Sequence, residues 1–293
     1  MTDKTLMFGV GATKAGTSWL HRYIARHPEC HMTSIKELHY FTSLESERAL
    51  ERQIKVTTRR LTMLEAQQRE ATNSGHAWIA RQADDTRRWL AVLERGEAGV
   101  ADYVEFLRAG AADARLVGEV TPAYALLPEE RLKQMAGLSS RVRFVYLLRD
   151  PVDRLWSHIR MVAERTLEPG ADPTVKAEQE FDRFLAGNEP TIARRSDYAG
   201  ALSRMRAALR PESLFVDFYE QFFTEATLRR LCDFLGLTYV PGEFDTRVHA
   251  GPQLTLDEEK RREAQRLLAP QYAYVADMFG ALPARWQDNF SGV

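Results

Sequence analysis

Residues 9–20, GVGATKAGTSWL, bring three glycines, one lysine and three hydroxyls into the spacing of a loop that closes around phosphate. Gly11 and Gly16 keep a G-x-x-x-x-G interval that lets backbone N–H groups surround phosphate oxygens. The apolar run LMFGV predicts the strand that feeds such a loop. Splitting a nucleoside triphosphate would require lysine at position 17 to reach the β- and γ-phosphates, followed by a hydroxyl for magnesium. Thr17 holds that place instead, and the lysine sits three residues earlier, as Lys14. The loop is equipped to hold phosphate without that metal-bridged chemistry. Transfer of a sulfuryl group from a phosphosulfate starts with less charge at the reacting centre, so one lysine plus backbone dipoles could suffice.

A second phosphate-compatible pair lies in VRFVYLLRDPVDRLWSHIRM, residues 142–161, where Arg149 ends an apolar strand and Ser157 follows eight residues on. A guanidinium fork and a hydroxyl flanking a strand-to-helix turn suit a terminal phosphate monoester, which offers several oxygens for charge-assisted hydrogen bonds. Alone, an Arg-Asp pair before a proline-led helix reads more readily as a local cap or ion pair. Beside the first loop it gains a partner.

These residues need a scaffold, and apolar runs at 6–10, 115–120, 142–149 and 213–219 alternate with helical patterns. That alternation predicts an α/β fold with a mostly parallel central sheet flanked by helices. Thr17 and Ser18 are placed to cap a helix running to about His27, and Pro151 to open another through about Glu164. Both helices follow strands, so their N-termini point at the carboxyl edge of the sheet, where α/β proteins bind anions. Residues 43–113 break the alternation: rich in Glu, Arg, Gln and Ala, with Trp78 and Trp89 among the charges, they read as a helical insertion. It is expected either to pad the fold or to form a lid over the acceptor site. The stretch 168–196, with three prolines and two glycines, reads as a long surface loop with a short helix at 177–186. From Leu256 onward the pattern is helix followed by an aromatic tail.

Bulk properties set limits. A net charge of −1 with pI near 6.7 gives no global basic field for nucleic acid, although an anion site needs only a few local cations. No stretch approaches the roughly 18 apolar residues that span a bilayer, and the N-terminus runs straight into the first strand, so a cytoplasmic protein is expected. Cys30 and Cys232 have no metal-ligand spacing and read as buried, inert thiols; no metal site is expected.

Together, the loop and the Arg149–Ser157 element resemble the sulfotransferase family that uses 3′-phosphoadenosine 5′-phosphosulfate (PAPS), in both its bacterial and its glycan or heparan-sulfate types. The resemblance implies a P-loop-like three-layer α/β fold in one domain, 1–293, with 43–113 inserted. It implies that Lys14, Ala15, Gly16, Thr17 and Ser18 surround the phosphosulfate and that Arg149 and Ser157 hold the 3′-phosphate. SIKELHYF, residues 34–41, is similar to a segment of glycan-type members in which a glutamate, two positions before a histidine, is the general base. That match implies Glu37 as base and His39 as a second polar contact, with Glu37 more basic if the site is partly desolvated. GEVTPAY, 118–124, resembles a segment that often carries a lysine before Thr-Pro; here Val120 stands there, leaving Lys14, with Lys36 or Arg22 as candidate compensation. Glu119 and Tyr124 are candidates for the acceptor wall, Arg195 and Tyr198 for approach to the nucleotide, and Arg247 for a third contact with the 3′-phosphate.

The implied reaction is metal-independent, in-line transfer to a hydroxyl or amine of a small-molecule, glycan or lipid acceptor. Two rival readings are a P-loop small-molecule kinase, which magnesium dependence would reveal, and a nucleotide-binding relative without catalysis, suggested by Val120. Neither acceptor nor oligomeric state is legible.

Overall fold

The apolar runs become one sheet. In the structure, a computed structural model that describes residues 4–70, 75–244 and 254–291, the strands are β1 (Thr5–Gly11), β2 (Cys30–Met32), β3 (Leu116–Val120), β4 (Val142–Leu148) and β5 (Leu214–Phe218). They lie in the order β2-β3-β1-β4-β5, all parallel. β1 and β3 are buried along their whole length, as expected of central parallel strands covered on both faces. The edge strand β2 has no apolar run to announce it; its Cys-His-Met backbone becomes a strand only by pairing with β3.

The helices, in chain order, are α1 (Thr17–Arg26), α2 (Tyr40–Ser43), α3 (Glu47–Glu70), α4 (Gly75–Glu94) and α5 (Val100–Arg108). Next come α6 (Glu129–Ala136), α7 (Pro151–Arg165), α8 (Pro173–Leu185), α9 (Pro190–Ser196) and α10 (Tyr198–Ala208). The last are α11 (Tyr219–Phe222), α12 (Glu225–Leu235), α13 (Glu258–Phe279) and α14 (Ala284–Phe290). Two expectations change. The stretch 168–196 is mostly helical: Asp172 accepts a hydrogen bond from the Thr174 N–H, and Pro173 and Pro190 each occupy a helix start, where a missing N–H costs nothing. Neither Thr17 nor Ser18 caps α1. The cap is Gly16, at φ 82°, with no side-chain hydrogen bond.

The chain leaves β1 through α1 toward β2 on one side, whereas β4 leads through α7–α10 to β5 on the other. The carboxyl ends of β1 and β4 therefore flank the point where the winding changes direction, where open α/β sheets form a crevice. Helices α2–α5 lie between β2 and β3 in the chain. Of the two insertion tryptophans, Trp89 is buried and Trp78 is exposed. Trp89, Tyr103 and Phe106 join the same apolar cluster as Phe8 of β1 and Phe41 of α2, with Tyr103 stacked on Tyr40 at 4.6 Å between ring centroids.

Candidate active site

The loop between β1 and α1 turns tightly because two of its residues adopt left-handed backbone: Lys14 at φ 71° and Gly16 at φ 82°. A Cβ on Gly16 would meet the Tyr219 ring at 3.0 Å, so glycine serves both the backbone angle and the close approach. The loop is fastened by the Ala12 N–H donating to Leu147 O at 2.8 Å and the Ala15 N–H donating to Ala12 O at 3.1 Å. Among the described residues, no acceptor meets the N–H groups of Lys14, Gly16, Thr17 or Ser18. These are the orphan donors that a helix N-terminus and its preceding loop direct at an anion.

Arg149 follows β4 directly, and its guanidinium donates to Lys14 O at 3.0 Å while lying 4.9 Å from the centre of the Tyr219 ring. Its backbone is clamped by buried Tyr198, whose hydroxyl donates to Arg149 O at 2.7 Å and accepts from Arg149 N at 3.2 Å. Asp150 caps α7 by accepting from the Asp153 N–H, and it also accepts from Tyr272 and Asn289. Burial and the neighbouring Asp153 push the Asp150 carboxyl up to about 6. Glu220 accepts from the Asp150 N–H at 2.8 Å and from the Trp286 indole at 2.9 Å. The turn bearing Arg149 is thus gripped by α10, α11, α13 and α14. Ser157, 9% exposed, lies farther along α7.

Glu37 precedes α2 with its side chain 31% exposed. His39 Nε2 lies 3.2 Å from one carboxylate oxygen and Lys36 Nζ 3.6 Å from the other, and Lys36 also donates to Ser18 Oγ at 3.1 Å. Lys36 thereby joins the segment 34–41 to the phosphate loop. Burial pushes the Glu37 carboxyl up, but the hydrogen bond from His39 and the positive charges of Lys36 and Arg195 outweigh it and hold the group below the usual glutamate range. The expected gain in basicity through desolvation is therefore reversed by neighbouring charge. The charged form of the Glu37 carboxyl is thereby favoured.

Like charges accumulate beside the loop. Burial, followed by the charges of Arg149, Arg160 and Arg165, holds the Lys14 ammonium below its ordinary value. Arg154 is fully buried, donates to Ser196 Oγ and leaves Nη1 without a partner. One turn further on, His158 is pushed down to about 2 by burial and by Arg154, Arg195, Lys14 and Arg165, and so stays neutral. Arg195 has its Nε buried and unpartnered. Cationic groups converging at this density are costly unless an anion completes them.

The structure thus gathers Lys14, Ala15, Gly16, Thr17, Ser18 and Arg149 at one sheet edge, joined to Glu37 and His39 through Lys36. Arg247 lies outside the described residues. Tyr198 is spent holding the Arg149 backbone rather than facing a ligand, and Glu119 and Tyr124, both buried, bond to each other at 2.7 Å rather than lining a wall. Val120 packs into the sheet: a Cβ on Gly9 would meet its Cγ2 at 2.8 Å, so a valine fills the space that the missing glycine side chain leaves. Of the two candidate replacements for a lysine there, Lys36 reaches the loop, while Arg22 stands 4.0 Å from Glu243. Reading the sequence alone missed Arg160, Arg165 and His158. The signal was available from the end of β4 through α7, where Arg149, Arg154, Arg160 and Arg165 recur every five or six residues.

With this arrangement in view, comparison with known proteins is decisive: the Sulfotransferase family model matches residues 7–241. The chain belongs to the sulfotransferase family. A solved sulfotransferase from Alicyclobacillus acidocaldarius is 21% identical, with a TM-score of 0.61 over 96% of this chain and 98% of that one, which shows a shared fold. The sulfotransferase domain from the curacin biosynthetic pathway is 18% identical over 97% of this chain and 99% of that one, at a TM-score of 0.48. The sulfotransferase domain of the Synechococcus PCC 7002 olefin synthase is 16% identical over 96% and 95%, at 0.49. A search of the curated proteins found no match. Among the described residues of this sulfotransferase, no helix is long and apolar enough to cross a membrane.

Proposed function

We propose that this sulfotransferase moves the sulfuryl group of PAPS to a hydroxyl or amine of an acceptor by in-line displacement. The observation that carries the reading is the convergence of Lys14, Arg149, Arg160 and Arg165 at a loop where the N–H groups of Lys14, Gly16, Thr17 and Ser18 meet no acceptor among the described residues. A nucleotide with a 5′-phosphosulfate and a 3′-phosphate supplies the missing negative charge. Lys14 and the loop from Ala15 to Ser18 hold the phosphosulfate, and Arg149 and Ser157 hold the 3′-phosphate, with Arg247 as a third contact.

In the reaction, Glu37 takes the acceptor proton as the nucleophilic oxygen or nitrogen bonds to sulfur. The bond from sulfur to the bridging phosphate oxygen breaks, and its electron pair leaves with 3′-phosphoadenosine 5′-phosphate (PAP). Lys14 and the loop N–H groups stabilise the charge that grows on that oxygen. Lys36, between Ser18 and Glu37, offers a second cation there, and His39 orients the base. No metal takes part in this scheme. The whole chain acts as one domain with 43–113 inserted, in the cytoplasm, on a glycan, lipid or small-metabolite acceptor.

The test is sulfuryl transfer from sulfur-labelled PAPS across a broad acceptor panel in the presence of a chelator, with Glu37→Gln as control. Labelled product that the control fails to form supports the reading. Magnesium-dependent transfer of phosphate from ATP would replace it with the kinase reading, and PAP binding without any transfer would leave a nucleotide-binding protein.

A further inference from the structure

Among the described residues, no hydrogen bond holds the Glu37 backbone, yet the residues on either side of it are tied down. Ser34 N donates to Asp85 Oδ2 of α4 at 3.0 Å. The Leu38 N–H is shared between Thr121 Oγ1 at 3.1 Å and Glu119 Oε2 at 3.3 Å, and Gln53 of α3 donates to Leu38 O at 3.5 Å. The His39 N–H reaches Thr121 Oγ1 at 3.5 Å, and His39 adopts left-handed backbone at φ 60°, a conformation that costs a non-glycine residue about 1–2 kcal/mol and so needs support from its surroundings. Tyr40 donates to Gly96 O at 2.7 Å.

At the centre of these ties sits Glu119. Its carboxylate is 2% exposed and accepts from Thr121 Oγ1 at 2.6 Å and from Tyr124 at 2.7 Å, besides Leu38 N. The remaining donor is Tyr103 of α5, whose hydroxyl reaches Glu119 Oε1 at 2.5 Å. Burial raises the Glu119 carboxyl above its ordinary value, and the hydroxyl donors Thr121, Tyr103 and Tyr124 offset only part of that rise. Four donors directed at two oxygens match an ionised carboxylate, which only accepts. Removing one leaves a buried charge short of a hydrogen bond, so the network holds together as a unit.

We infer that Tyr103 is a positioning residue, which through Glu119 and Thr121 fixes the Leu38–His39 backbone and so aims the Glu37 carboxylate at the acceptor proton. The inference rests on the proposed role of Glu37 as base. It gives the insertion a use different from a lid: its Tyr103 and Trp89, both buried, pack on Tyr40, and its half-buried Gln53 and Asp85 bond to Leu38 and Ser34, so the insertion braces the segment. It also links position to proton affinity. If the Leu38–His39 backbone loosens, His39 withdraws from Glu37, Lys36 and Arg195 alone oppose burial, and the Glu37 carboxyl rises.

The test compares Tyr103→Phe, Thr121→Val and Thr121→Ser with wild type. It reads turnover of sulfur-labelled PAPS with the acceptor panel, or with water where no acceptor turns over, alongside PAP affinity by calorimetry and amide exchange over residues 37–39. Tyr103→Phe is expected to lower kcat by tenfold to about a hundredfold, the scale of a misplaced reacting group. PAP affinity should stay unchanged, the acid limb of the pH–rate profile should move to higher pH, and exchange at 37–39 should speed up. Thr121→Val should act in the same direction, and Thr121→Ser should restore wild-type behaviour by restoring the hydroxyl. A Tyr103→Phe protein with lowered thermal stability but wild-type kcat, acid limb and exchange overturns the inference, as does a loss of PAP affinity that parallels the loss of kcat. Should wild type transfer no sulfuryl group at all, the proposed function fails, and amide exchange at 37–39 decides separately whether Tyr103 holds the segment.

Discussion

Around Lys14 and Arg149, cationic groups press against one another and backbone donors stand without acceptors. Around Glu119, four donors close on one buried carboxylate and every oxygen is satisfied. The two regions meet at Lys36, which touches Ser18 on one side and Glu37 on the other. The difference teaches where each half obtains its order. On the proposed reading, the loop side is completed by a ligand, whereas the side bearing Glu37 is completed by the protein itself. In the proposed reaction, a site divided in this way would release PAP without losing the aim of Glu37.

That contrast is open to attack at several points. The largest effects should come from the reacting groups on each side. Lys14→Ala and Glu37→Gln should each lower kcat/KM by about 10²–10³, measured with labelled PAPS; near-normal turnover by Glu37→Gln would remove it as the base. The two should differ in binding: Lys14→Ala weakens PAP, and Glu37→Gln leaves it unchanged or tighter. Next comes Arg149→Ala, which removes a charge-assisted contact of roughly 1.5–3 kcal/mol and should weaken PAP by about 10- to 100-fold in calorimetry, with the stability of the free protein little affected. A large loss of stability in this variant would mean that the arginine is a structural ion and the loop side is not waiting for a ligand.

Smaller still is the response to salt. Raising ionic strength from about 0.05 to 0.5 M should weaken PAP binding several-fold, because exposed and half-buried charges are screened over a few ångströms at the higher value. Amide exchange over residues 37–39 should not respond, since its ties are buried hydrogen bonds. The smallest effect concerns the support beneath Arg149. The Asp150 carboxyl, pushed up to about 6, binds its proton more tightly in the folded chain than in the unfolded one. Its contribution therefore favours folding below pH 4 and is lost as pH rises toward 6. Asp150→Asn, which cannot ionise, should gain a few degrees in melting temperature relative to wild type between pH 4 and above pH 6. A difference that stays constant with pH would show that Asp150 remains ionised throughout.

Much of the loop side was legible before any coordinates, because its chemistry is carried by residues close in sequence. Strand, glycine interval, lysine and helix start lie within 9–20, and Arg149 through Ser157 repeats the logic after β4. The base side was legible only as a short motif. Glu119 and Tyr124 read as acceptor-wall candidates because residues at a strand end and in the turn after it carry no sign of which way they face; burial turned both inward. Tyr103 carried no signal, since its partner Glu119 lies 16 residues away across a strand and its stacking partner Tyr40 lies before the insertion. Tyr198 was placed near the right element but given the wrong task, because a tyrosine offers the same hydroxyl to a nucleotide or to a backbone.

By itself, then, the sequence determined the fold class, the positions of four of the five strands along the chain and the two turns proposed to bind anions, all set by periodicity and by spacings of fewer than a dozen residues. Tertiary structure decided the rest. It fixed the pairing of β2, the inward turn of Glu119, the packing of Val120 against Gly9, the net lowering of Glu37 by His39, Lys36 and Arg195, and the use of Tyr103. Each depends on which groups share a buried volume, and burial and charge act through space rather than along the chain.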